Sequence, residues 1–455
     1  SMIGDSWLSA PGEYNIDNGD SIVKTKLCIT TNIADIPHGD LIERKANKEI
    51  YSVPKGMTVP AIAPDGTIEL KEVTKFHKHK GCEEWEVKLT GDITLNVSDN
   101  HSLVCFNPEL NIVEKTKPAD ASFLCVPRLF DIEYANPNKV EGVSNSRSEQ
   151  ERLHLISSLG FFTGSTRNNK KRVGGYTFSN STFLEGRARL VNEYKEAHFD
   201  TQGRFISPFI LNWIDSNVYL NDELRLPSFL IGVSKKEREA FVSGLIEASI
   251  MLNKDSFAIR ETKNKAFLDD IAKLVQSVGV DGTFTSKKIK NCSIYSLEFK
   301  QLDVKNFYLK NAHYFSALSR AFLDDSKLLS ISLKAHDFIP VPTFVSMLIL
   351  ETTRFRIDSK MKANKLRYAY SLKSYSDWIE LGYEPCTRAA FNFFLSHMTD
   401  EGWEVLPREY MKLVQNKAVR WGLITSSRKT GRTIDMYDIT VKDYKHFATD
   451  YGYFV

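Results

Sequence analysis

The chain changes its periodicity twice, and that limits its architecture more than any single motif. From the first residues to about 130, short runs alternate apolar and polar residues between Gly, Pro, Asp and Asn turns. From Glu149 the apolar spacing becomes helical, with strand-like runs in between. Beyond Thr425 the alternation returns and holds to Val455. Strand candidates in the first part are Ile22–Lys24, Glu49–Val53, Trp85–Leu89 and Phe123–Val126. A strand buries every second residue and a helix every third or fourth, so one segment cannot serve as both. The simplest account is one strongly bent β domain whose sequence is interrupted by insertions. Chain ends that lie close together make such interruption tolerable.

The interrupting part carries an internal repeat. One helical run covers Glu151 to Gly164, followed by a strand candidate over 175–178 and a helix with Phe183, Leu184, Leu190 and Val191 on one face. A second run covers Lys236 to Ser249, followed by strand 256–260 and an amphipathic helix with Phe267, Ile271, Leu274 and Val275. Two more strands follow, 282–286 and 292–299. A duplicated helix–strand unit implies a pseudo-symmetric α/β domain. Residues 131–148, rich in Asn, Ser, Pro and charge, read as a linker. The expected organisation is therefore multidomain: β over 1–130, linker over 131–148, the duplicated domain over 149–335, a helical region over 336–424, and β again over 425–455.

Length and composition are compatible with this plan. A chain of 455 residues is long enough for about three domains. The six cysteines, at 28, 82, 105, 125, 292 and 386, form no Cys-x-x-Cys pair. That argues against a zinc ribbon or a disulfide scaffold and fits a reducing compartment. Net charge is only +3, so nucleic-acid binding must come from local patches. No apolar run reaches membrane-spanning length and no signal peptide is visible, so the chain reads as soluble and intracellular, cytoplasmic or nucleoid-associated, with no membrane partner.

The segment Gly91 to Cys105 is the first with a chemical reading. Ile93, Leu95 and Val97 alternate along a strand; Ser98, Asp99 and Asn100 make a polar turn; a second strand follows. The turn presents His101 at a fixed spot with a hydroxyl three residues before it. An imidazole and a small oxygen donor in that arrangement suit polarisation of an amide.

Together with both chain ends, this turn resembles blocks of the inteins, self-splicing inserts, and is most similar to those of family-B DNA polymerases. Ser1, Gly4, Asp5 and Ser6 resemble the first block. Ser98 and His101 resemble a Thr-x-x-His block, with Ser in place of Thr. Tyr437, Asp438, Val441 and Phe447, then Tyr451 to Val455, resemble the closing blocks. The resemblance implies an all-β horseshoe (Hint) splicing domain built from both chain ends. It also implies catalytic roles for Ser1, Ser98, His101, Asp438 and His446, and flanking host-protein segments (exteins), expected to belong to a DNA polymerase. In that chemistry the Ser1 hydroxyl attacks the preceding carbonyl, and His101 supplies the proton that an amide leaving group needs. Ser98 helps hold the strained amide or the oxyanion, and Asp438 serves as base or orients the nucleophile. Two departures stand out. The usual His position holds Lys445, with His446 one place later, and family members end in His-Asn where this sequence stops at Val455. As written, the chain is expected to be splicing-incompetent. Splicing itself calls for no cofactor.

The duplicated middle resembles a LAGLIDADG homing endonuclease, whose two signature helices match 159–165 and 241–249. Small residues (Gly160, Gly164, Ser243, Gly244, Ala248) suit close packing of those helices. The catalytic acids belong where Ser165 and Ser249 stand, and a hydroxyl poorly replaces a carboxylate in holding Mg²⁺. The nuclease positions are therefore read as degenerate, with Mg²⁺ required only if the endonuclease is active; an active enzyme using Glu247 is one alternative. A non-catalytic DNA-binding protein is the other. Double-stranded DNA at an insertion site is the expected partner, with Lys170, Lys171, Arg172, Lys287, Lys288 and Lys290 near strand ends. Arg354, Arg356, Lys360 and Lys362 would extend the footprint, and the chain is expected to act as a monomer. Incubated with its insertion-site duplex and Mg²⁺, the protein is expected to bind without cutting. Cleaved duplex on a gel would overturn the reading of Ser165 and Ser249.

Overall fold

The computed structural model describes residues 7–17, 22–133, 137, 139–143, 148–165, 198–199, 205–220, 223–252, 257–261, 264–289, 292–325, 337–352, 382–444 and 446–455. The chain divides into two units: residues 1–130 with 333–455, and residues 131–332. It is a mixed α/β multidomain protein whose largest element is an antiparallel sheet.

The first unit begins with β1 (Trp7–Asp17) and β2 (Ile22–Asn32), paired with each other. There follow β3 (Leu41–Lys45), β4 (Lys48–Ser52), β5 (Thr58–Ile62) and the long β6 (Ile68–Leu89). Then come β7 (Ile93–Ser98), β8 (Leu103–Asn107), β9 (Ile112–Thr116) and β10 (Cys125–Leu129). The strand expected from Phe123 starts at Cys125, because Phe123 takes a positive φ of 69° and cannot continue a ladder.

The second unit opens on α1 (Glu149–Ser165). Ser148 Oγ accepts the Glu151 amide at 3.3 Å while Glu151 accepts the Ser148 amide at 3.0 Å, a reciprocal cap that fixes where the helix starts. A short hairpin, β11 (His198–Phe199) with β12 (Phe205–Ile206), precedes α2 (Pro208–Asn217). A second, β13 (Tyr219–Leu220) with β14 (Glu223–Leu224), precedes α3 (Lys235–Leu252). Next are β15 (Ala258–Glu261), α4 (Lys265–Gln276), β16 (Gly282–Ile289) and β17 (Cys292–Phe299), the strands forming a sheet of order β15-β17-β16. The unit closes with α5 (Gln301–Asn311) and α6 (Ala317–Asp325).

Helices α1 and α3 pack so closely that no side chain fits between their backbones. A Cβ at Gly160 would lie 1.9 Å from the carbonyl oxygen of Phe241, and one at Gly244 2.0 Å from that of Ser157. The residues 131–148, read as a linker, belong to this unit. Val140 and Val143 are buried, and the buried Arg152 guanidinium donates to both of their carbonyls while its Nε meets Glu237 at 2.8 Å. A polar composition hid that packing, because the hydrogen bonds use backbone carbonyls. The strand over 175–178 and the helix over 183–191 lie outside the described residues.

The chain re-enters the first unit with β18 (Phe338–Pro342), α7 (Thr343–Thr352) and β19 (Tyr383–Thr387), β18 pairing β19. Then come α8 (Arg388–Leu395), α9 (Asp400–Val405), α10 (Arg408–Gln415) and β20 (Val419–Val441). The expectation of a purely helical 336–424 is corrected. The region holds a two-stranded ribbon, and the last strand begins at Val419 rather than 425, because Val419 to Leu423 pair with β10. The segment is tied to the β ends by Tyr383, whose buried hydroxyl donates to Phe123 O and accepts from Cys125 N, each at 2.9 Å.

The large sheet runs β10-β20-β6-β4-β3, with β5 and β7 also on β6. β6 and β20 are paired from Leu89 opposite Ile424 to Val73 opposite Val441, with four breaks of register. Such irregularities bend a ladder that would otherwise run straight. One face carries Val73, Phe76, Val87, Ile439 and Val441 into a core that also takes in Leu95, Val97, Leu103, Phe447 and Val455. That core joins the amino-terminal strands to the carboxyl-terminal residues.

Gly244→Ala is expected to destabilise the second unit by about 1–3 kcal/mol, as overpacking does. The change would be read as a lowered urea midpoint, and an unchanged midpoint would show that α1 and α3 are looser than described.

Candidate functional site

The site follows from the pairing of β6 with β20. His77 stands directly opposite Asp438 in the register, so the two side chains share a face. Side chains alternate along a strand, which places His79 beside His77 and Thr440 beside Asp438 on that face. His77 Nε2 lies 2.6 Å from Thr440 Oγ1. Phe76 and Ile439, their immediate neighbours, turn the other way and belong to the core.

The β7–β8 turn brings the second group. Ser98 closes β7 opposite Glu84, and the His101 amide donates to the Ser98 carbonyl at 3.0 Å. That bond makes a tight turn with Ser98 and His101 at its two ends; the residues are 4% and 7% exposed. Glu84, itself buried, is held by Arg432 at 2.7 and 2.9 Å and by Thr430 at 2.6 Å, which fixes the part of β6 that pairs with Ser98.

The last residues bring the third group. Phe447 and Val455 exchange backbone hydrogen bonds at 2.9 and 3.0 Å, and Val104 N donates to Phe454 O at 3.3 Å. The return between them turns at Tyr451 and Gly452, both with positive φ (57° and 76°). Glycine adopts that conformation without strain, and here it folds the chain end back against β8. Ser98, His101, His77, His79, Asp438 and Val455 consequently line one pocket of about 420 Å³.

Electrostatics set the protonation states in this pocket. Burial pushes the His101 imidazole down to about 3, against the opposing pull of the Asp438 carboxylate. Burial, reinforced by the Lys48 charge, pushes His77 down to about 4. His79 is lowered too, chiefly by burial. Burial works to raise Asp438, yet nearby positive charge and the Ile439 amide, which donates to it at 2.8 Å, hold it below the ordinary carboxylate value. Near pH 7 the pocket therefore combines neutral imidazoles with an ionised carboxylate. Neutral imidazole both accepts and donates a proton, the property that amide cleavage requires.

The structure brings together three of the sequence-derived residues, Ser98, His101 and Asp438. His446 is elsewhere and does not line the pocket. Its Nε2 lies 2.8 Å from Ile62 O and 3.2 Å from Ile62 N, and its Nδ1 3.1 Å from Tyr444 O. Held against backbone on both sides, this ring fixes the β5 end of the fold. Ser1 lies outside the described residues. His77, His79 and the half-buried Cys82 were missed by sequence reasoning, although two histidines spaced by one residue on a strand must share a face. The alternating lysines at 75, 78 and 80 disguised that spacing.

In the second unit, Ser165 Oγ donates to Phe161 O at 2.7 Å and Ser249 Oγ to Ile246 O at 2.6 Å, so both hydroxyls turn back onto their own helices. Glu247 is fully buried and accepts the hydroxyls of Ser316 and Ser319. Mg²⁺ prefers carboxylate and water oxygens in octahedral array, and these engaged groups do not fit it. Among the described residues no cluster of three His, Cys, Asp or Glu side chains is placed to hold a metal ion. Lys287 and Lys288 are exposed on β16. Lys170, Lys171, Arg172, Lys290, Arg354, Arg356, Lys360 and Lys362 lie outside the described residues. No described helix is long and apolar enough to cross a membrane.

No family model matches the chain, and no curated protein does. Among solved structures it is similar to an intein from a hyperthermophile, at 10% identity and a TM-score of 0.22, over 28% of this chain and 71% of that one. The solution structure of the Pab PolII intein gives 11% identity and a TM-score of 0.22, over 40% of this chain and 80% of that one. The transcription factor IIB Mja mini-intein gives 19% and 0.21, over 32% and 76%.

The depressed imidazoles have a consequence for stability. Between about pH 6.5 and 3 the unfolded chain binds a proton at residue 101 that the folded chain refuses, so stability falls as pH drops through that window. Each such proton contributes a slope of about 1.4 kcal/mol per pH unit. His101→Gln is expected to remove one such slope, measured by urea midpoints from pH 6.5 to 4.5. A variant with the wild-type slope would show that this ring titrates normally.

Proposed function

We propose that the first unit is a self-processing domain of the intein type that makes and breaks peptide bonds at its own two ends. One observation carries this reading: a turn near residue 100 and a strand and terminus from the far end of the chain deliver Ser98, His101, Asp438 and Val455 to one pocket. Nothing in local folding requires that convergence. An imidazole kept neutral by burial, a hydroxyl one turn away and an ionised carboxylate are the groups that an acyl shift needs.

The chemistry follows in steps. Ser1 Oγ attacks the carbonyl carbon that precedes it, and its proton passes to the neutral His101 imidazole while Asp438 orients the nucleophile. The C–N bond breaks as the His101 imidazole protonates the departing nitrogen, leaving an ester and a free amine. Ser98 donates to the oxyanion while it exists. The first nucleophile of the following segment then attacks the ester. An Asn two residues beyond Val455 cyclises, and the joined segments revert from ester to amide.

The second unit is proposed to descend from a LAGLIDADG endonuclease and to bind duplex DNA without cutting it. The close crossing of α1 and α3 and the exposed Lys287 and Lys288 on β16 support binding. The engaged hydroxyls of Ser165 and Ser249 support the loss of cleavage. A family-B DNA polymerase is the proposed host, on the likeness of the terminal blocks.

The test is a precursor with reporter domains on both sides, His-Asn after Val455 and a nucleophilic residue next. A ligated product is expected, and His101→Ala should slow ester formation at the amino end by about 10²–10⁴-fold. A folded precursor that forms neither ester nor ligated product, with Ser and with Cys at position 1, would end this reading.

A further inference from the structure

The pocket holds more imidazoles than one junction requires, and their surroundings differ. His101 stands on the turn with Ser98. His77 stands on β6, 7% exposed, with Nε2 fixed by Thr440 Oγ1 at 2.6 Å and Asp438 directly opposite. Its other nitrogen, Nδ1, is buried and has no hydrogen-bond partner among the described residues. A buried ring nitrogen left unsatisfied is costly, so this atom is open to a group brought into the pocket. Val455 lines the same pocket. Two further residues reach no more than about 7 Å from it, so the group that cleaves there would arrive within this pocket. Among the described residues the other imidazole near Val455 in sequence, His446, is committed to the backbone of Ile62 and Tyr444.

We infer that His77 is the proton-transfer residue of the carboxyl-terminal junction, positioned by Thr440, while His101 serves the amino-terminal one. The inference rests on the self-processing reading above. In the step assigned to it, the side-chain amide nitrogen of the Asn beyond Val455 attacks that residue's own carbonyl carbon. His77 Nδ1 takes a proton from the attacking nitrogen and returns one to the departing amine as the backbone C–N bond breaks, leaving a succinimide. A hydroxyl both donates and accepts, so Thr440 can match whichever tautomer the ring holds at each stage. Asp438, across the ladder, stabilises the imidazolium formed in between. That ring is neutral before the step, since burial holds it down at about 4.

The experiment uses the flanked precursor and follows the two junctions separately, by hydroxylamine cleavage of the amino-terminal ester and by release of the downstream reporter. His77→Gln is expected to slow downstream release by about 10²-fold, the lower range for losing a general acid–base, with ester formation within about threefold of wild type. Thr440→Val, which keeps the ring and removes its anchor, is expected to slow the same step about tenfold and to alter its pH profile. It also serves if His77→Gln does not fold. Equal loss at both junctions, loss at the amino end alone, or no loss in either variant would overturn the assignment. A wild-type precursor inactive at both junctions would instead overturn the self-processing reading itself.

Discussion

The pairing of β6 with β20 is the interaction on which the first unit depends. It joins residues from the two ends of the chain in one antiparallel ladder. Antiparallel registry fixes which residues face each other, and alternation fixes which face they share. Slipping this ladder by one residue would turn Phe76 and Ile439 into the pocket and push His77 and Asp438 into the apolar core. The apolar core on one face is therefore also what specifies the polar pocket on the other.

The pocket shows how burial sets chemistry. Desolvation disfavours the charged form of every group it surrounds, which lowers imidazoles and raises carboxylates. Here the carboxylate of Asp438 ends below its ordinary value, because neighbouring groups and the Ile439 amide outweigh the penalty. The result is the ionised Asp438 carboxylate beside neutral rings, a distribution that stabilises positive charge appearing on them during proton transfer. The second unit uses burial differently. Its buried Arg152 and Glu247 are satisfied by carbonyls, a carboxylate and serine hydroxyls, and they tie segments together.

Much of the fold was legible before any coordinates. Helical spacing from Glu151 marked α1, and small residues at 160 and 244 marked its close crossing with α3. Ser98 with His101 marked a turn that proved to line the pocket. His446 meets the backbone of Ile62, which lies far from it along the chain, and sequence position says nothing about which backbone a ring will meet. His77 and His79 escaped notice because their strand looks like an ordinary charged one. Only the partner strand, with Asp438 opposite, gives them meaning.

The sequence by itself determined the local periods, the tight turn at residues 98–101 and the need for small residues where helices cross. These are properties of neighbouring residues and of hard-sphere limits on the backbone. Tertiary structure alone decided that Asp438 faces His77, that Val455 ends in the same pocket, and that His446 is occupied. Each of those depends on register between segments hundreds of residues apart, and pairing across such separations is selected by the whole core rather than by any stretch of chain.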